Sequence, residues 1–133
     1  MPMPLNPWLK AMLLASDSED FLRMMQVYLT CSGNGVLRSC CGKGHAGYAP
    51  SGSDIVCAAA TILLRTALQV LTEAYGALIV VNAPEPGTLE FLVKEGIDDK
   101  SRLIYAADFL RAGFKSLQNE FPKHIAFTEI IAE

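Results

Sequence analysis

A chain of 133 residues is sized for one domain rather than two, so any site must lie within one core or across an interface between copies. Its net charge of −3, from 11 basic and 14 acidic residues scattered along the chain, lacks the basic patch that phosphate-backbone binding requires and sets nucleic acid aside as an expected ligand. At 51% hydrophobic and 19% charged residues it is richer in apolar side chains than one small core consumes, which points to an apolar surface facing a second copy.

Residues 1–23 read as an N-terminal extension: Pro2, Pro4 and Pro7, a short helix from Trp8 to Ala15, then the polar run "SDSED". Trp8 is expected to pack this segment onto the domain or onto a partner chain. Met24 and Met25 leave two readings open, an accessory segment or an over-long start, with the domain proper at 24–133. The opening "MPMPLNPWLKAMLLAS" is a poor secretory signal, and Arg65 is expected to keep the following apolar helix short of a membrane span. Cys31, Cys40, Cys41 and Cys57 include an adjacent pair that would point to opposite faces of a strand, so they read as reduced thiols of a cytoplasmic protein.

"MQVYLTC" and "VLRSCC" around "SGNG" form a hairpin signal. A polar loop rich in glycine follows, with Gly42, Gly44, Gly47 and Gly52. A long helix then runs from about Asp54 to Tyr75, capped by Ser53 or Asp54 and stopped by Gly76. Its broad apolar face, Ile55, Val56, Ala59, Ile62, Leu63, Thr66, Ala67, Val70 and Leu71, predicts heavy burial. "ALIVV" and "GTLEFLVK" pair through the "NAPEPG" turn, with Glu85 and Glu90 read as solvated charge. A second helix from Asp98 or Asp99 carries Leu103, Ala107, Leu110, Phe114, Leu117 and Phe121 on one stripe and stops before Pro122. "HIAFTEIIAE" closes the order β-β-α-β-β-α-β, an α+β fold with both helices on one face of a mostly antiparallel sheet. His124, at the start of that last strand, reads as a strand-end surface residue.

Chemistry concentrates between residues 42 and 64. Cys57 in the first turn of a helix would feel the partial positive charge of unpaired backbone N–H groups, which favours thiolate and could hold an oxyanion. His45, twelve positions earlier in a glycine loop able to fold over the helix mouth, is a candidate to accept the thiol proton and return it to a leaving amine. Taken singly, such a cysteine is as readily a small core residue and such a histidine a solvated one. The loop lacks P-loop spacing, and the cysteines lack a C-x-x-C pair, so neither a phosphate cradle nor a metal or redox centre is supported; no cofactor is expected.

"GHAGYA", a spacer with Gly52, and "DIVCAA" are similar to the signature of the ribosomal-processing cysteine proteases, the Prp or YsxB-like family, over roughly residues 24 to 131. The resemblance implies a bacterial homodimeric endopeptidase that removes an N-terminal extension from a large-subunit ribosomal protein precursor, with His45 and Cys57 as its dyad. It aligns Asp54 with the family's aspartate, here assigned to capping the helix and fixing the loop. Thr61 replaces a serine common in relatives, either bonding within the site or returning to the Cys57 carbonyl. The family's apolar substrate, cut after an aromatic residue, implies a groove beside the dyad within reach of Gly44, Gly47 and Gly52; Tyr48 either lines it or packs on the helix. The alternative from another class is a non-catalytic homodimeric ribosome-assembly binding module, without membrane contact in either reading.

Overall fold

The computed structural model describes residues 24–44, 51–84 and 87–132, the side chains of residues 51–54 excepted. Its elements are β1 (Met25–Cys31), β2 (Leu37–Lys43), α1 (Ser51–Tyr75), a 3₁₀ turn (Gly76–Leu78), β3 (Ile79–Asn82), β4 (Thr88–Val93), α2 (Ser101–Glu120) and β5 (Ile125–Ile131). The predicted order therefore holds. The five strands form one sheet in the order β3-β4-β2-β1-β5, and β1 with β5 is its parallel pair.

Register divides the sheet into two faces. Val27 lies opposite Gly42 and Leu29 opposite Cys40, and these positions face α1 and α2. Cys41 pairs with Tyr28 and with Glu90 on the other face, so Cys40 and Cys41 do point apart. The core joins Val27, Leu29, Leu37, Cys40 and Phe91 to Val56, Ala60, Leu64, Ala67 and Leu71 of α1. From α2 it takes Leu103, Ala107, Leu110 and Phe114, four of the six residues on the expected stripe, with Leu117 and Phe121 packed against them.

α1 departs from expectation in three ways. It begins at Ser51 despite the weak helix propensity of serine and glycine, each added residue gaining a backbone bond. Its buried stripe is rotated from the predicted face, leaving Ile55, Ile62 and Val70 about 60% exposed. Arg65 does not interrupt it: one solvent-facing charge is compatible with a helix, and within Ile55–Leu78 the mean hydropathy reaches 1.8 over a length sufficient to cross a bilayer. The stripe packed on the sheet makes it a core helix with an apolar outer side.

α2 starts at Ser101, two residues beyond Asp99, whose Oδ1 accepts from the Ser101 N–H at 3.0 Å and from its hydroxyl at 2.7 Å. Those bonds hold the Asp99 carboxyl below its ordinary range. Arg111 ties α2 to the edge strand β5, donating from Nε to Glu129 Oε1 at 2.6 Å and from NH1 to Asp108 Oδ1 at 2.8 Å. Gln118 Oε1 accepts from the outward Phe127 N–H at 2.7 Å, which blunts that edge. Glu90 contradicts its reading as solvated charge: it is 1% exposed. Glu85 lies outside the described residues.

Phe114 is fully buried and stacks on Phe127 with centroids 5.8 Å apart. Phe114→Ala should lower unfolding free energy by about 3–5 kcal/mol in urea titrations; a loss below about 1 kcal/mol would mean that this α2–β5 seam is not part of the cooperative core.

Candidate active site

Three of the four cysteines are unsuited to nucleophilic work. Cys31, Cys40 and Cys41 are fully buried, and burial pushes each thiol up, Cys41 to about 12 with a further push from the Glu90 carboxylate. Cys57 alone is half-exposed, at the margin of the core on α1. Of the four thiols, Cys57 is the one that burial leaves within reach of solvent.

β2 delivers the chain to that sulfur. Gly42 belongs to the strand rather than to the loop, and a Cβ there would collide with Leu64 Cδ1, so its hydrogen lets α1 sit close to the sheet. Two residues later, a methyl on Gly44 would stand 3.4 Å from Cys57 Sγ and 3.8 Å from the Met25 side chain. The residue immediately before His45 therefore lies beside the candidate nucleophile, with about the space of one methyl group between them.

Gly44 is held there by the β3–β4 turn. Its N–H donates to the Gly87 carbonyl at 2.8 Å. Gly87 has φ +84°, and a Cβ on it would lie 2.6 Å from the Gly44 oxygen, so both its dihedral and its contact demand glycine. Sequence reasoning took "NAPEPG" only as a turn. The proline-glycine pair signalled a left-handed position, but nothing local to it names Gly44 as the neighbour.

The earlier start of α1 changes the electrostatics. Cys57 stands six residues past Ser51, roughly 9 Å along the axis, in the second turn rather than the first. The unpaired N–H groups and their field are confined to the first turn, so the expected oxyanion donors and thiol activation from the helix end do not reach the sulfur directly. Gly52 and Asp54 are helical residues of that first turn, and Asp54 is not the N-cap. Thr61 Oγ1 donates to the Cys57 carbonyl at 2.6 Å, the second of its two readings.

His45, Gly47 and Tyr48 lie outside the described residues. His124 stands at the start of β5, half-buried, its carbonyl accepting from the Met25 N–H at 2.9 Å, which puts it at the same end of the sheet as Gly44. Among the described residues no three His, Cys, Asp or Glu side chains are grouped to hold a metal ion. An apolar groove of about 490 Å³ opens between α1 and α2, lined by Val70, Ala74, Tyr105, Ala106 and Phe109, away from Cys57.

The fold is shared with solved structures. The S. aureus ribosomal processing protease Prp in complex with a substrate peptide superposes with a TM-score of 0.68 at 18% identity, over 80% of this chain and 99% of that one. SMU.848 from Streptococcus mutans gives 0.67 at 21% identity, over 82% and 96%. The S. aureus protease with a covalently linked product peptide gives 0.63 at 20% identity, over 80% and 99%. No curated protein sequence matches the chain. Identities this low carry the fold alone, but the family model for the cysteine protease Prp matches residues 24–126, well over half of the sequence. The chain belongs to the Prp family of cysteine proteases.

Proposed function

We propose that this protein cuts the N-terminal extension from a large-subunit ribosomal protein precursor, with Cys57 as nucleophile and His45 as acid and base. The observation that carries the reading is the seat of Gly44 against Cys57 Sγ, which brings the chain to the sulfur one residue before the imidazole. The S. aureus relative, a ribosomal processing protease crystallised with a substrate peptide, supports the substrate class. Membership of a cysteine-protease family favours this reading over a non-catalytic binding module.

In the proposed chemistry His45 takes the Cys57 proton, and the thiolate adds to the scissile carbonyl carbon. The tetrahedral adduct collapses as the C–N bond breaks, and imidazolium protonates the departing amine. Water, deprotonated by the imidazole, then attacks the thioester, and the carboxyl product leaves as the thiol is restored. With the helix terminus roughly 9 Å away, the imidazole carries the burden of activating the sulfur. The cycle uses no metal or cofactor and suits the reducing cytoplasm, where a catalytic thiol persists.

The apolar outer surface of the helices supports a homodimer. Ile62, Val70, Tyr105 and Phe109 are 42–75% exposed on neighbouring stretches of α1 and α2. In this reading they are covered by a second copy.

Incubated under reductant with a precursor bearing the family's extension, the unaltered protein should yield the trimmed product and Cys57→Ala none, while His45→Ala should slow turnover by about 10²–10⁴-fold. Failure of the unaltered protein to cut any such precursor would leave the binding module ahead.

Gly87→Ala should lower kcat/KM by about tenfold or more, because misplacement on the ångström scale is costly in a positioned site. Gly35→Ala shares a left-handed dihedral, φ +82°, but its Cβ meets nothing within 4 Å, so it should lose some stability and keep full activity. Equal activities of the two variants would remove the turn from the site.

Sedimentation should find the unaltered protein as a dimer and Val70→Glu shifted toward monomer, and an unaltered protein that stays monomeric at high micromolar concentration would reject the pairing.

A further inference from the structure

Gly42 and Gly44, on either side of the last residue of β2, leave a hollow between the sheet and α1, and the side chain of Met25 runs along it. Gln26 pairs with Lys43, so Met25 faces Gly44 one step further along the same two strands. As the first residue of β1, Met25 donates its N–H to the His124 carbonyl at 2.9 Å, which fixes its backbone. Its Cε lies 3.5 Å from where a Gly42 Cβ would stand, and its Cγ and Sδ each lie 3.8 Å from where a Gly44 Cβ would stand.

Cys57 Sγ lies 3.4 Å from that same Gly44 position. The three atoms nearest to it therefore come from two side chains, the candidate nucleophile and Met25. Both belong to one apolar seam, Met25 within the core and Cys57 packed against it.

Methionine suits such a hollow. Its chain is unbranched and adaptable, so it can thread a narrow, irregular space over glycine, whereas a β-branched side chain is stiff close to the backbone. At 6% exposure it leaves contact with a substrate to other groups. What it supplies is a wall. A cysteine has one side-chain torsion with three staggered wells, and the space around the sulfur decides which of them is occupied. With Met25 truncated, the apolar space beside Gly44 opens to the sulfur, and a thiol drawn into that space loses solvent and becomes harder to ionise.

We infer that Met25 is a positioning residue of the site, the wall that keeps Cys57 Sγ at the margin of the core beside Gly44. This rests on the reading of Cys57 as the nucleophile.

The test compares the unaltered protein with Met25→Ala and Met25→Leu by two measurements. One is the rate of Cys57 alkylation by iodoacetamide against pH, with the modified cysteine located by peptide mass spectrometry. The other is steady-state cleavage of the precursor. Met25→Ala should displace the alkylation profile to higher pH and lower kcat by about tenfold, with KM changed by no more than about twofold. Met25→Leu, which restores most of the volume, should recover both. Leu103→Ala, a truncation of a fully buried residue at the hairpin end of the sheet, should lose stability and leave the profile where it was. Should Met25→Ala fail to fold by circular dichroism, Met25→Val carries the same comparison, since it removes Sδ and Cε and keeps an apolar side chain. A truncation at residue 25 with the profile and kcat of the unaltered protein, no recovery in Met25→Leu, or an equal displacement by Leu103→Ala would overturn the assignment. An unaltered protein that cuts no precursor would instead defeat the catalytic reading, and the alkylation profiles alone would then decide the role of Met25.

Discussion

One backbone hydrogen bond, from the Gly44 N–H to the Gly87 carbonyl, joins the end of β2 to the β3–β4 turn and seats Gly44 beside the Cys57 sulfur. Gly87 can form it because the residue occupies a left-handed dihedral and has no Cβ to strike the Gly44 oxygen. Gly42 acts on the same strand by letting Leu64 approach, which brings α1, and with it Cys57, close to the end of the sheet. Removing either close approach would widen the space between sulfur and loop. The site depends on three absent side chains as much as on the ones present.

α1 serves two surfaces at once. Its inner stripe is core, Cys57 sits at the core's margin, and its outer side presents Ile55, Ile62 and Val70 to the surroundings. A helix apolar around most of its circumference gains when more than one side is covered, which the proposed pairing of two copies would supply. The same breadth explains how the helix reaches bilayer-spanning length while still packing on a sheet.

The sheet is likewise buried on both faces. Glu90, Thr88 and Thr30 are buried on the face opposite the helices, and Thr30 Oγ1, Thr88 Oγ1 and Glu90 Oε2 find no hydrogen-bond partner among the described residues. Buried polar atoms left without a hydrogen bond in a low-dielectric layer cost stability. Glu90, read from the sequence as solvated charge, is enclosed there, because alternation in a strand reports which face a residue takes, not whether that face is wet.

The amino-acid sequence by itself determined the element order, the hairpin and the buried stripe of α2, because period and turn residues act between near neighbours in the chain. It misjudged where α1 begins, since Ser51, Gly52 and Ser53 have weak helix propensity and the competition is settled by backbone bonds gained in context. Only the tertiary structure decided that Gly87 holds Gly44 against the sulfur, that α1 turns part of its apolar face outward, and that Glu90 is enclosed. Each of these is a contact between distant segments, fixed by strand pairing and layer packing, and no local pattern encodes it.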